Sequence, residues 1–123
     1  MTSYAGMYRA AVEDITKFWL GAAAGIDWVT PPQTGLDRGN PPFYRWFPDG
    51  MMNTCYNAVD RHVAAGRGDQ DAIIYDSPIT GSKERMSFSA LQQQTAQFAG
   101  MLKRLGVGTG ERVIIYIPMI PQA

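Results

Sequence analysis

The sequence predicts an α/β fold, incomplete as given: an amino-terminal stretch of helices and extended wrap, then a strand-turn-strand-helix-strand series. Three observations carry this. Apolar side chains occupy both parities of Val113-Ile114-Ile115-Tyr116-Ile117, the pattern of a strand covered on both faces of a parallel sheet. Leu91, Thr95, Phe98, Leu102 and Leu105 recur at spacings of four, three, four and three, which draws one stripe along a helix. Residues 30 to 42 hold Pro31, Pro32, Gly35, Gly39, Asn40, Pro41 and Pro42, a composition for extended chain without regular structure.

The elements follow in order. From Tyr4 to about Ala24, Met7, Ala11, Ile15, Phe18, Trp19, Ala22 and Ala23 keep near a 3.6-residue period, predicting helix in one or two pieces. Gly25 and the prolines at 31 and 32 stop it. Tyr44 to Phe47 reads as a short extended piece and Pro48-Asp49-Gly50 as a turn. Asn53 is placed to cap a helix running to about Ala65, with Gly66 at the left-handed position that ends it. Its apolar side is Met52, Tyr56, Val59 and Val63. Ala72 to Tyr75 is a strand, Ser77 to Ser82 a turn, and Arg85 to Phe88 a return strand. Ser87 or Ser89 then caps the long helix, which Gly106 closes. A strand buried on both faces needs neighbours, yet the sequence ends six residues after Ile117, so it reads as cut before its sheet is complete.

Composition narrows function. With 123 residues, the chain has room for one core, and 46% hydrophobic content can supply it. Eleven basic residues cancel eleven acidic ones, which leaves no field to draw nucleic acid or an anionic membrane. The uncharged run from Phe18 to Ile26 is about half the roughly 20 residues a membrane span needs. Glu13 and Asp14 stand where a signal peptide would be basic. The single cysteine, Cys55, cannot make an internal disulfide, so a reducing, cytoplasmic setting is expected.

Each cluster with chemical potential has a plainer reading. Gly106-Val107-Gly108-Thr109-Gly110 looks like a dinucleotide loop, but it leaves a helix for a strand, whereas phosphate binding requires a strand opening onto a helix N-terminus. Cys55 and His62 share a helical face at a separation of about 10 Å along the axis, too far for a thiolate-imidazole pair. Cys55 is therefore expected in the core and His62 packed or hydrogen-bonded. One His and one Cys cannot form a structural zinc site. Asp60, Arg61 and His62 diverge by about 100° per residue, so capping or ion pairing is expected instead of catalysis. Arg67-Gly68-Asp69 matches an adhesion tripeptide but falls in a helix-to-strand turn. Trp19, Trp28, Phe43, Tyr44, Trp46 and Phe47 have only Arg38 and Arg45 near them, where a nucleic-acid platform needs basic residues interleaved throughout, and are expected to pack.

Taken together, Phe18-Trp19, Trp28, Trp46-Phe47, Asn53 with Asn57, Asp60-Arg61-His62, Leu91, Gly106-Val107, Gly110-Glu111-Arg112-Val113 and Tyr116-Ile117-Pro118 resemble the start of short-chain acyl-CoA synthetases, the acetyl-CoA synthetase-like branch of adenylate-forming ligases. The resemblance runs almost end to end. Ile74 to Gly81 and Ile115 to Ala123 are most similar to the propionate-CoA ligases of that branch. Three positions depart from the usual pattern: Ser87-Phe88-Ser89-Ala90 where Thr-Tyr and a Glu before the leucine are common, Glu111 where Asp is usual, and Ile117 where Met is frequent. They touch a cap and packing positions.

The resemblance implies an amino-terminal extension over 1–66 and the start of an adenylate-forming domain over 67–123. It implies ATP, magnesium and coenzyme A as cofactors and a short carboxylate, propionate, as substrate. The carboxylate and ATP give an acyl-adenylate and pyrophosphate, and the CoA thiol then displaces AMP. The Ser/Thr/Gly-rich phosphate loop, the magnesium-positioning acid and the mobile lysine of that chemistry match no stretch here. No catalytic, cofactor-binding or metal residue is therefore assigned within 1–123, and these residues alone are expected to be inactive and to bind none of the cofactors. The alternative is a free-standing, non-catalytic module that docks on a full-length synthetase or on itself through the strand at 113–117.

Overall fold

A computed structural model describes residues 3–118, 120 and 121. Helices and small antiparallel sheets make it mixed α/β, and the chain divides into two compact units, 1–57 and 58–123.

In the first unit, α1 (Tyr4–Glu13) and α2 (Ile15–Ala23) are separated by one residue. Asp14 leaves the helical region at φ −138°, closes α1 by donating its N–H to the Ala10 carbonyl, and caps α2 by accepting from Lys17 N at 2.9 Å. Ser3 caps α1 through Gly6 N. At the far end of α2, Trp28 Nε1 donates to the Ala23 carbonyl at 2.8 Å, satisfying an oxygen the helix leaves open, while Ala23 itself is buried.

Two short antiparallel ladders follow. β1 (Trp28–Thr30) pairs with β4 (Met51–Met52), and β2 (Leu36–Asp37) with β3 (Arg45–Trp46). β2 corrects one expectation, since the Pro/Gly-rich stretch 30–42 is not wholly irregular. The Asn40 to Tyr44 turn, with its cis Pro41–Pro42 bond, brings Leu36 opposite Trp46. Trp19 meets Trp46 edge-on at 6.0 Å and Trp28 meets Phe47 at 5.7 Å. Phe47 takes the left-handed φ of 48°, a strained state for a bulky residue, which those ring contacts offset. Trp19, Phe43, Tyr44 and Trp46 nonetheless keep much of their surface exposed, and Trp28 and Phe47 are half-buried, so the expected packing is partial.

A helical segment spans 54–67, and the division between the units falls inside it. Asn53 caps it, accepting from Tyr56 N at 3.0 Å. The segment is not a regular α-helix: it widens to π geometry over Tyr56–Asp60 and Val63–Arg67, and Gly66 takes a φ of 77°. The widening changes which side chains share a face. Val59 is buried, but Cys55, expected beside it in the core, is exposed.

In the second unit, β5 (Asp71–Asp76) and β6 (Lys83–Ser87) form an antiparallel hairpin with Ile74 opposite Arg85 and Asp76 opposite Lys83. Its turn closes through Gly81 N to the Ser77 carbonyl and Ser77 N to the Ser82 carbonyl. The Arg85–Asp71 and Lys83–Asp76 ion pairs lie in solvent and contribute little. Ser87 ends β6 and caps α3 (Phe88–Arg104), accepting from Ala90 N at 3.3 Å, so Phe88 opens the helix and does not end the strand. α3 stops at Leu105, and Gly106 turns the chain at φ 89°.

The largest correction concerns the strand expected at 113–117. No β-ladder forms there; Ile114 is 90% and Tyr116 97% exposed. A doubly covered strand needs partners on its edges, and among the described residues no other strand pairs with this stretch. The resemblance at Met119, Gln122 and Ala123 lies outside the described residues.

Candidate functional site

A polar arrangement of the second unit lies where the end of the helical segment meets the start of α3. Asp60 Oδ1 accepts from Gln92 Nε2 at 2.6 Å, joining the two helices across 32 positions of sequence. The His62 ring tilts against Phe88 with centroids 4.7 Å apart, and its Nδ1 faces the Arg67 guanidinium as a hydrogen-bond partner. Ser89 N donates to the Gly68 carbonyl and Phe88 N to the Gln70 carbonyl, which fastens the 68–70 turn to the same helix end. Partial burial, then the Arg67 and Arg61 charges, hold the His62 imidazole below its ordinary value, so the neutral ring is favoured.

These contacts place the residues singled out from sequence. Asp60 and His62 both face α3: His62 packs against Phe88, as the plainer reading expects, while Asp60 accepts from Gln92, a contact that the expected capping or ion pairing did not name. Arg67-Gly68-Asp69 is the end of the helical segment and its turn. The glycine run joins α3 to an extended chain, where Gly108 N donates to Glu111 Oε2 at 2.6 Å and Gly110 takes a φ of 88°. No helix N-terminus faces this run, so it does not fit a nucleotide phosphate.

In the first unit a clamp went unassigned from sequence. Asn57 Oδ1 accepts from Asp27 N, and Asn57 Nδ2 donates to the Asp27 carbonyl, both at 2.9 Å, so the side chain pairs with a backbone as a neighbouring strand would. Nδ2 also reaches the Asn53 carbonyl. The signal was the Asn53, Asn57 spacing of four. Asn57→Ala is expected to cost about 0.5–1.5 kcal/mol, because the exposed Asp27 backbone groups exchange the Asn57 side chain for water, read as a lower urea midpoint with an unchanged slope. Nearby, Asp49 binds Gln33 N and Thr34 N at 3.0 and 3.2 Å. Burial pushes its carboxyl up, but these N–H groups outweigh that and hold it below the usual carboxylate value. The stability it adds is present above that value and is lost as pH falls through the lowered one.

Among the described residues, no three His, Cys, Asp or Glu side chains converge to hold a metal, and no helix is long and apolar enough to cross a membrane. A capped hairpin-to-helix unit, preceded by an aromatic helical unit, defines the class of a scaffold segment of an α/β protein.

Comparison with known proteins identifies which scaffold. Residues 4–58 match the family described as acetyl-coenzyme A synthetase N-terminus, and residues 60–123 match the AMP-binding enzyme family. The chain is 46% identical over 120 residues to the rat protein named acyl-CoA synthetase short-chain family member 3, mitochondrial, covering 98% of this chain and 18% of that one. It is 44% identical over 122 residues to the human protein of the same name, covering 99% and 18%. It is 44% identical over 124 residues to the acetyl-coenzyme A synthetase of Thiobacillus denitrificans, covering 100% and 19%. The chain belongs to the AMP-binding enzyme family and corresponds to the amino-terminal part of the acyl-CoA synthetases within it. It spans less than a fifth of the length of the curated relatives it matches.

Proposed function

We propose that these residues open an ATP-dependent propionate-CoA ligase, AMP-forming. Residues 1–66 are the amino-terminal extension and 67–123 the first part of the adenylate-forming domain. The observation that carries this reading is the order and near-continuity of the two family matches, 4–58 then 60–123, along almost the whole chain. The whole enzyme would join propionate to AMP with release of pyrophosphate, using ATP and magnesium, and pass the acyl group to the thiol of coenzyme A. Residues 1–123 would supply framework: α3 and the hairpin that leads into it set where the strand at 113–117 enters the sheet. The reacting groups would lie outside these residues. The single cysteine supports a reducing, cytoplasmic setting.

Propionate is favoured over acetate by the likeness of Ile74 to Gly81 and of Ile115 to Ala123 to the propionate-activating branch. Acetate is the second reading, favoured by the names of relatives such as the Thiobacillus protein. One methylene in an apolar pocket is worth about 1–3 kcal/mol. The complete enzyme is therefore expected to show kcat/KM for propionate at least about tenfold above that for acetate in CoA-dependent AMP formation. A ratio at or below one would transfer the assignment to acetate.

A further inference from the structure

The His62 contact with Arg67 depends on the ring being neutral. The Nδ1 lone pair accepts from Arg67, at the end of the segment 54–67, and the ring rests on Phe88, the first residue of α3. We propose that His62 is an acid-sensitive latch: neutral, it holds the last turns of the 54–67 segment on the first turn of α3, and protonated, it releases them. The latch stands on the second unit's geometry alone and is independent of the ligase assignment.

The chemistry is a single proton transfer. A proton from solvent on Nδ1 occupies the lone pair that accepts from Arg67, so that hydrogen bond is lost and an imidazolium faces a guanidinium. Arg61, adjacent in sequence, adds a second like charge acting on the ring. From α3 the ring meets Phe88, and Gln92 is engaged with Asp60; neither Phe88 nor Gln92 titrates. The Asp60 carboxylate is directed to Gln92, and the hairpin's Asp71 is paired with Arg85. An aromatic face can favour a cation, but Phe88 is tilted at 58° to the imidazole, and the two guanidinium groups outweigh it. The segment is also suited to opening. It is already widened to π geometry over Val63–Arg67 and turns at a left-handed Gly66, and the bonds that oppose release are Gln92 to Asp60, Ser89 N to the Gly68 carbonyl and Phe88 N to the Gln70 carbonyl.

The direction of the effect follows from linkage. A ring whose basicity is lowered by folding adds stability that is fully present above its ordinary value near 6.5 and is lost as pH falls through the lowered one. Peptide-resolved hydrogen–deuterium exchange on the purified protein, corrected for intrinsic rates, tests the latch. Protection of amides 58–67 and 88–92 is expected to fall about three- to tenfold between pH 7.5 and 5, in step with the His62 titration followed by exchange at its Cε1–H. His62→Gln keeps an acceptor that does not titrate, so protection should stay level across the same range. Arg67→Gln removes the opposing charge and should move the His62 titration up toward its ordinary value, a readout that stands even where His62→Gln does not fold. Protection that falls equally in His62→Gln, or a His62 titration that Arg67→Gln leaves in place, would overturn the proposal.

Discussion

Ile115→Asp is expected to leave the isolated 123-residue chain nearly unchanged and to destabilise the complete protein strongly. In the isolated chain Ile115 is 68% exposed and pairs with no strand, so the carboxylate stays hydrated and stability should shift by no more than about 0.5 kcal/mol. In the complete domain, the double-parity pattern of Val113 to Ile117 demands cover on both faces. A carboxylate there has no water and no partner, and the cost should exceed about 3 kcal/mol. Thermal unfolding of both proteins, with and without the substitution, measures the difference. Equal, small shifts would mean that 113–117 is a surface segment in the whole protein too.

The second large effect is expected at Gly35. A methyl group there would lie 2.8 Å from the Thr16 carbonyl oxygen and 2.9 Å from Thr16 Cγ2, and the carbonyl is backbone inside α2. Since neither helix nor turn can yield cheaply, Gly35→Ala should destabilise the first unit by about 1–3 kcal/mol through overpacking. The displacement should also be felt by Trp19, which is on α2 and rests on Trp46 of β3. A shift in tryptophan emission together with a lower denaturation midpoint is the expected signature. Unchanged emission and midpoint would show that the Thr16 contact relaxes freely.

The features legible in the sequence were those decided by neighbouring residues. The Asn53 and Ser87 caps and the left-handed Gly66 and Gly106 depend on local backbone chemistry, and each stands where its residue type places it. The break at Asp14 was legible only as helix in one or two pieces, because the residue serves as the end of one helix and the cap of the next. Leu36 pairing with Trp46 was hidden, since it depends on the path of the connection 38–44 between β2 and β3. Cys55 was misplaced because the usual burial of cysteine was expected to hold at a position that is exposed here. Val113 to Ile117 exposes a different limit: an unbroken apolar, largely β-branched run reports the surroundings a strand suits, while pairing needs edges that residues 3–118, 120 and 121 do not supply.

The polar cluster shows the same division. That Asp60, Arg61 and His62 would not converge followed from helical angles, whereas the Gln92 partner of Asp60 and the Phe88 partner of His62 could not be found without the packing of α3. Asn57 was part of the recognised pattern, yet its reach to the Asp27 backbone required the fold.

Carboxylate-dependent ATP–pyrophosphate exchange, run side by side on the complete protein and on residues 1–123, asks directly whether this chain is the framework of an adenylate-forming ligase. Exchange driven by a short carboxylate in the complete protein, and none in residues 1–123, is the predicted result. Absence of carboxylate-dependent exchange in the complete protein, or exchange by residues 1–123 alone, would contradict it.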